Sequence, residues 1–312
     1  MLDQEIQGFI EKTDAFYPAD AVNHSIPEQR RWYDALCREF ATPRPKRVSA
    51  QDEILSLPGR QIGLRRYRRE DPNDCAVILF LHGGGFVLGG LESHDDHCNE
   101  ICDRTGLDIV AVDYRLSPEF THPAAFDDAL AAFDHVVALG KPIILVGDSA
   151  GGTLCASVAQ ARKAHTGTAL FGQVLIYPSL GSDLETGSMI SQSEAPGLST
   201  ADVAYYFKMR AGGEPPLEDP TFCPMAAEDF SGVPPTIMMA AEVDPLCDDC
   251  VLYAGRLAEA GVPVHAQVDQ GLIHGHLRAR RMSAKAAKSF DDICHGIEIL
   301  AAGDSLEALK KR

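Results

Sequence analysis

Short apolar runs of β type alternate with helical patterns along the chain from about residue 47 onward. This alternation is typical of a largely parallel sheet covered by helices on both faces, because parallel neighbours need long crossover connections. We predict eight strands, at residues 48–57, 61–67, 76–81, 108–114, 143–147, 172–177, 236–241 and 264–268. The first two are separated by the turn dipeptide Pro58-Gly59, so they should form an antiparallel hairpin. The predicted fold class is α/β, with an eight-stranded, mostly parallel sheet.

Helical patterns fill the gaps between these strands, at residues 93–105, 124–139, 150–164, 247–260 and 279–301. Two segments stand outside the alternation. Residues 1–45 are typical of amphipathic helices that end at Pro43 and Pro45, and residues 183–218 contain a helical pattern near 200–210. We expect both segments to fold together as a helical cap over a core formed by residues 46–182 and 219–312.

Composition narrows the possible partners and location. The chain has 312 residues and a net charge of -17, which would repel phosphate backbones, so nucleic acid is not an expected partner. No apolar run approaches the roughly 18 residues that a membrane span needs. The N-terminus lacks the basic and apolar regions of a signal peptide, which favours a cytoplasmic location.

Cysteine and histidine clusters raise the question of a metal. The chain has nine cysteines, an odd number that favours reduced thiols over a disulfide framework. Cys247 and Cys250 have C-x-x-C spacing, but no second pair supports a zinc site. A second metal-like group consists of His94, Asp95, His97 and Cys98, although this spacing at a helix start usually marks a solvated face. We therefore expect neither a metal nor a cofactor.

A G-x-S-x-G motif follows the strand predicted at 143–147 and precedes a helical pattern. Small residues at Gly147, Ala150 and Gly151 permit a sharp, strained turn that lifts the Ser149 hydroxyl out of the backbone. The same sequence could also form a glycine-rich turn whose serine only caps the helix. The strand before the motif and the helix after it favour a nucleophile at Ser149.

The run His82-Gly-Gly-Gly-Phe86 follows another apolar strand. Glycines let backbone N–H groups approach a developing oxyanion, as acyl transfer requires. A nucleotide loop is the alternative reading. However, Gly83 and Gly85 lack a third glycine at the required spacing, since Leu88 stands there, and no Gly-Lys-Ser/Thr follows.

A serine nucleophile needs an imidazole base, and the base needs a carboxylate to fix its tautomer. Asp244 follows the strand predicted at 236–241, and His274 follows the next strand. Taken singly, Asp244 could only cap the following helix, and His274 could be an ordinary loop histidine. Their order after Ser149, both beyond strand ends, predicts the acid and the base.

Five motifs together resemble the bacterial hormone-sensitive lipase family of α/β-hydrolase carboxylesterases. They are His82-Gly-Gly-Gly85, Asp113-Tyr-Arg-Leu-Ser-Pro-Glu119, Gly147-Asp-Ser-Ala-Gly-Gly152, Asp244-Pro-Leu246 and His274-Gly275. The similarity covers about residues 47–312.

The resemblance implies an α/β-hydrolase fold, a triad of Ser149, Asp244 and His274, and an oxyanion hole. The N–H groups of that hole would come from Gly83, Gly84 and Ala150. It also implies that residues 114–119 are a structural brace and that residues 1–45 and 183–218 are the cap. The sequence departs from the family at His276, where an aromatic residue usually follows His-Gly.

The expected function is hydrolysis of a small carboxylic ester through an acyl-enzyme, without metal or cofactor. An amidase such as an arylformamidase could use the same residues. A non-catalytic small-molecule receptor, as found among plant relatives of this family, would lack the histidine that stands here at 274. The family analogy also suggests a homodimer.

The cap segments are modest in length and supply few large apolar residues, so we expect a short pocket and a preference for acyl chains of roughly two to six carbons. Candidate wall residues are Phe9, Phe16, Trp32, Tyr33, Tyr205, Tyr206 and Phe207.

Overall fold

A computed structural model describes residues 2–18, 20–163, 170–181 and 183–311. Its eight strands are β1 (Val48–Leu57), β2 (Arg60–Arg69), β3 (Val77–Leu81), β4 (Asp108–Asp113), β5 (Ile143–Asp148), β6 (Leu170–Ile176), β7 (Thr236–Val243) and β8 (Val264–Ile273). They form one sheet in the order β1-β2-β4-β3-β5-β6-β7-β8. β2 pairs antiparallel with both β1 and β4, and the remaining neighbours are parallel. The predicted sheet and its opening hairpin are confirmed.

Helices cover both faces of this sheet. The α-helices in the described ranges are α1 (Gln4–Asp14), α2 (Ile26–Phe40), α3 (Asp95–Thr105), α4 (Ala124–Val137), α5 (Ala150–Arg162), α6 (Gly187–Ser191), α7 (Thr200–Ala211), α8 (Cys247–Glu259) and α9 (Ala284–Ala302). None of them combines the length and apolar character needed to cross a membrane. Alternate residues of β3 belong to opposite cores: Val77, Leu79 and Leu81 share an apolar cluster with residues of α4, α5 and α8, and Ile78 and Phe80 share the other cluster with residues of α3 and α9. Burial on both faces explains why this strand is continuously apolar.

The ends of several elements differ from the predictions. β8 continues five residues beyond residue 268, because a bulge in its pairing with β7 lets Ile273 pair with Val243. α9 begins at Ala284, after Ser283, whose side chain accepts the Ala286 N–H as an N-terminal cap. α5 ends at Arg162, and residue 164, where its end was predicted, lies outside the described residues.

The two segments outside the alternation contact each other and the sheet. α1 places Ile6, Phe9 and Ile10 in one apolar cluster with Leu272 and Ile273 at the end of β8. Side-chain hydrogen bonding links α2 to α7, since Gln29 Nε2 donates to the Tyr205 hydroxyl at 3.1 Å. Both segments therefore meet at the edge of the sheet where β5 and β8 end.

Candidate active site

Ser149 occupies the turn between β5 and α5. Its backbone has φ 52° and ψ -121°, a conformation that costs a non-glycine residue on the order of 1–3 kcal/mol. Glycine is required on both sides of the turn: a Cβ at Gly147 would lie 2.5 Å from the Gly151 carbonyl carbon, and a Cβ at Gly151 would overlap Leu81 O. The sequence thus forms the strained strand-to-helix turn that was predicted.

His274 lies between Ser149 and Asp244. Its Nε2 is 2.9 Å from Ser149 Oγ, and its Nδ1 is 2.7 Å from Asp244 Oδ2. Asp244 is fully buried, and its other oxygen accepts the Leu246 N–H at 2.9 Å. The fold therefore brings the three residues predicted from sequence into one hydrogen-bonded chain.

His276 has different partners. Its Nδ1 lies 2.9 Å from Ile273 O and its Nε2 lies 2.9 Å from Ser289 Oγ, which in turn donates to Asp269. Its side chain is completely buried, and burial lowers its pKa. This departure from the family pattern is therefore part of a buried polar network under the site.

The segment 82–88, here called the glycine loop, lies against the nucleophile turn. Gly84 and Gly85 have φ of 125° and 61°, which favour glycine, and both line the cavity in front of Ser149 together with Ala150. The Gly83 N–H instead donates to Asp148 Oδ1 at 3.0 Å. This hydrogen bond contradicts the prediction for Gly83, because a donor already bound to a carboxylate inside the protein cannot also face an oxyanion.

Asp148 connects the glycine loop to the nucleophile turn. In addition to its bond with Gly83, its Oδ2 lies 3.3 Å from His94 Nε2. Burial would raise the pKa of Asp148, but its interaction with His94, which includes a hydrogen bond, and the positive charge of Arg278 outweigh burial and lower the pKa to about 2. This side chain is therefore an anion that holds Gly83 beside Ser149.

A cavity of about 310 Å³ opens above Ser149 and is walled by both extra segments and by the glycine loop. Of the aromatic residues predicted as walls, those that line it are Phe9, Tyr33, Tyr206 and Phe207. Tyr17 lines it as well, and Trp32 packs against Tyr17 with ring centroids 6.3 Å apart.

The metal-like clusters adopt other arrangements. His94 faces Asp148, and Cys98 is buried in the core under α3. Cys247 and Cys250 lie at the start of α8 as free thiols. Among the described residues, no three His, Cys, Asp or Glu side chains are grouped so that they could hold a metal ion.

Sequence reasoning missed three features of the site. Gly85 was not predicted as an oxyanion donor, because a run of three glycines does not show which of their N–H groups faces Ser149. The bond between Asp148 and Gly83 joins residues 65 positions apart. Arg278, which also lines the cavity, follows the base by four positions and gave no motif signal.

A serine, a histidine and an aspartate hydrogen-bonded in this order at the ends of parallel strands define a serine hydrolase of the α/β-hydrolase class. Comparison with known proteins supports this class. A family model described as alpha/beta hydrolase fold matches residues 78–278.

Curated relatives and solved structures agree with that match. Esterase LipI of Mycobacterium tuberculosis is 38% identical over 239 residues, covering 72% of this chain and 74% of the relative. Ethyl acetate hydrolase of Pseudomonas putida is 35% identical over 236 residues, covering 72% and 74%. The structure of a hyperthermophilic esterase from the archaeon Pyrobaculum calidifontis superposes with a TM-score of 0.88 at 28% identity, covering 96% of this chain and 99% of that one. The chain belongs to the hormone-sensitive lipase family of α/β-hydrolases.

Proposed function

We propose that Ser149, His274 and Asp244 are the catalytic triad of this enzyme, with an oxyanion hole formed by the N–H groups of Gly84, Gly85 and Ala150. The enzyme is a carboxylic ester hydrolase that acts through an acyl-enzyme intermediate. The observation that supports the assignment is the continuous hydrogen-bonded chain from Asp244 through His274 to Ser149.

In the proposed mechanism, His274 Nε2 takes the Ser149 proton as Oγ attacks the ester carbonyl carbon. The negative charge on the carbonyl oxygen is stabilised by the backbone N–H groups of the oxyanion hole. His274 then donates the proton to the leaving alcohol, which leaves the acyl group on Ser149. Water attacks this acyl group with His274 again as base, and the acid product and free Ser149 are released. Asp244 orients the ring and stabilises the imidazolium at each stage.

Residues 1–45 and 183–218 form the cap in this proposal, and residues 46–182 and 219–312 form the catalytic core. Of the residues at these boundaries, 1, 182 and 312 lie outside the described ranges. Support comes from the shared cavity, since Tyr33 and Tyr206 from the two segments lie on its wall.

The substrate range follows from the same cavity. A volume of about 310 Å³ is at the small end for a ligand pocket, and aromatic side chains form part of its wall. Each added methylene contributes about 0.8 kcal/mol only while there is room for it. We therefore propose esters with acyl chains of roughly two to six carbons.

Two further proposals concern the setting. A homodimer is proposed by family analogy, and light scattering on the purified protein tests it. A cytoplasmic location is proposed because the nine cysteines are all free thiols, as reducing compartments maintain them. Fractionation with thiol alkylation before lysis tests the location.

The decisive experiment combines the nucleophile with the chain-length series. Wild type should hydrolyse p-nitrophenyl esters with kcat/KM highest between two and six carbons, and a phosphonate should label Ser149 covalently. Ser149→Ala should lose at least about three orders of magnitude in kcat with an unchanged melting temperature, because triad members act as a unit. Activity of Ser149→Ala within tenfold of wild type would remove the assignment. A maximum at ten carbons or more would refute the short pocket, and faster hydrolysis of matched anilides would favour an amidase.

A further inference from the structure

Arg278 is a cation on the cavity wall that has no acidic partner among the described residues. It lies in the 3-10 turn His276–Ala279 directly after the base and lines the same cavity as Ser149. Its Nη1 donates to Ser93 O and its Nη2 donates to the Tyr33 hydroxyl, both at 3.0 Å. These contacts hold the planar guanidinium in place. They do not use all of its hydrogen-bond donors, because arginine has five N–H groups.

His97 is a second polar residue at this wall with hydrogen-bonding capacity that is not used. It lines the cavity and is only 2% exposed, yet neither of its ring nitrogens has a hydrogen-bond partner in the described structure. Buried polar atoms are paired in the great majority of cases. An unpaired ring beside a cavity therefore indicates that something from the cavity completes its hydrogen bonding.

Nearby Asp148 does not satisfy these donors directly. Its two oxygens are engaged by the Gly83 N–H and by His94 Nε2. The same His94 Nε2 lies 3.4 Å from Arg278 Nη2, so the imidazole contacts both the carboxylate and the guanidinium. The guanidinium thus faces an aromatic-walled cavity with hydrogen-bonding capacity that this chain does not use.

We propose that Arg278, with Tyr33 and His97, forms a polar subsite that binds a second acceptor oxygen of the ester substrate, from a carboxylate or a ketone group. The inference rests on the proposed function and narrows its substrate class to short esters that carry such an oxygen away from the scissile bond. A guanidinium fork favours planar oxygen acceptors of this kind. An apolar ester of the same length would leave the buried donors unpaired, which costs affinity in the transition state.

Two matched series of esters test the subsite with the wild-type enzyme. The acyl-side series is monoethyl succinate, ethyl levulinate and ethyl pentanoate. The alcohol-side series is the acetate esters of 3-hydroxypropanoate, 4-hydroxybutan-2-one and butan-1-ol. In each series the reacting ester is the same, and a carboxylate, a ketone or an alkyl group occupies the far end. The ketone esters separate hydrogen bonding from charge, which matters because Asp14 and Asp202 also line the cavity.

We expect kcat/KM for a carboxylate or ketone ester to exceed that of the alkyl ester by about tenfold or more in at least one series, as hydrogen bonds to a charged donor allow. Preference for the carboxylate would identify an anionic substrate, and preference for the ketone a neutral one. If the alkyl ester is the best substrate in both series, the subsite is refuted while the proposed function stands. If none of the six esters is hydrolysed and Ser149 does not react with a phosphonate, the proposed function itself fails.

Variants identify the residues responsible. The preference ratio is kcat/KM for the better carboxylate or ketone ester divided by kcat/KM for the alkyl ester of the same series. Arg278→Met should reduce this ratio to about one, and His97→Phe should reduce it severalfold. Arg281→Met is the matched control, since this arginine is exposed and pairs with Glu100 at 2.9 Å, and it should keep the wild-type ratio. If Arg278→Met lowers kcat/KM for all six esters equally, the residue only braces the fold and the proposal is wrong. If Arg278→Met does not fold, the preference ratios of wild type and of His97→Phe decide whether the subsite exists.

Discussion

His274 and His276 stand two residues apart, yet the fold gives them different tasks. His274 contacts Ser149 and Asp244, whereas His276 is buried between Ile273 O and Ser289. We expect His274→Ala to lose about three orders of magnitude or more in kcat, because the base acts on the reacting proton. His276→Ala should lose about tenfold or less in kcat and instead lower the melting temperature. Steady-state kinetics and thermal unfolding of both variants check this, and a larger kcat loss in His276→Ala would reassign the base.

The glycine loop shows what sequence reasoning can and cannot fix at the residue scale. The sequence motif was sufficient to predict that three glycines lie beside Ser149. Which N–H faces the cavity depends on backbone dihedrals and on Asp148, which binds the Gly83 N–H. Such a choice is made by a contact between distant segments, so local pattern cannot supply it.

At the scale of elements, helix α2 is attached to the glycine loop by one arginine. Arg30 Nε donates to Val87 O at 2.9 Å, Nη2 donates to Ser117 O at 3.1 Å, and both Nη atoms bind Glu119 at 2.8 Å. Glu119 belongs to the motif that the family resemblance interprets as a brace. The brace thus also connects the first extra segment to the loop that carries Gly84 and Gly85.

Removing this connection should affect both stability and rate. We expect Arg30→Met to lower the free energy of unfolding by about 1–3 kcal/mol, because it leaves polar groups of the loop without their donors. kcat should fall while KM changes less, since Val87 stands only two residues after Gly85 and three after Gly84, the proposed oxyanion donors of this loop. Arg31→Met is the control, as its contact with Glu28 is an exposed pair at 3.9 Å. Urea unfolding and steady-state kinetics that make the two variants indistinguishable would contradict this role.

Most elements were predictable because each reflects a local pattern: β3 is continuously apolar where both faces are buried, and α5 follows the glycines of the nucleophile turn. The ends of β8 and α9 were not. β8 is lengthened by pairing across a bulge to Val243, and the start of α9 depends on a cap at Ser283 after a 3-10 turn. Both are decided by geometry between elements.

At the scale of the whole molecule, four buried histidines concentrate around the site. They are His82, His94, His97 and His276, each at most 2% exposed. Burial lowers the pKa of all four, to about 3 for His82. The folded protein therefore keeps neutral imidazoles at pH values where the unfolded chain, with histidine pKa values near 6.5, takes up protons.

This difference in proton uptake predicts a loss of stability on the acid side of neutrality. Above about pH 6.5 neither state binds these protons, so the stability is fully present. Below that pH the unfolded state binds more protons than the folded state, and the free energy of unfolding falls by up to about 1.4 kcal/mol per pH unit for each histidine. Carboxylates with lowered pKa values, such as Asp148, act in the same direction but only at lower pH.

Urea unfolding at pH 8.0, 6.5 and 5.0 measures the effect. We expect little change between the first two values and a loss of several kcal/mol between the last two, with an unchanged m-value. His276→Phe, which restores the aromatic residue usual in the family, removes one of the four protons. Whatever its effect on the absolute stability, this substitution should reduce the slope of the free energy of unfolding between pH 6.5 and 5.0, because the slope is set by the number of protons taken up on unfolding. A free energy of unfolding that stays constant or rises as the pH falls to 5.0 would show that these histidines do not remain neutral in the folded protein.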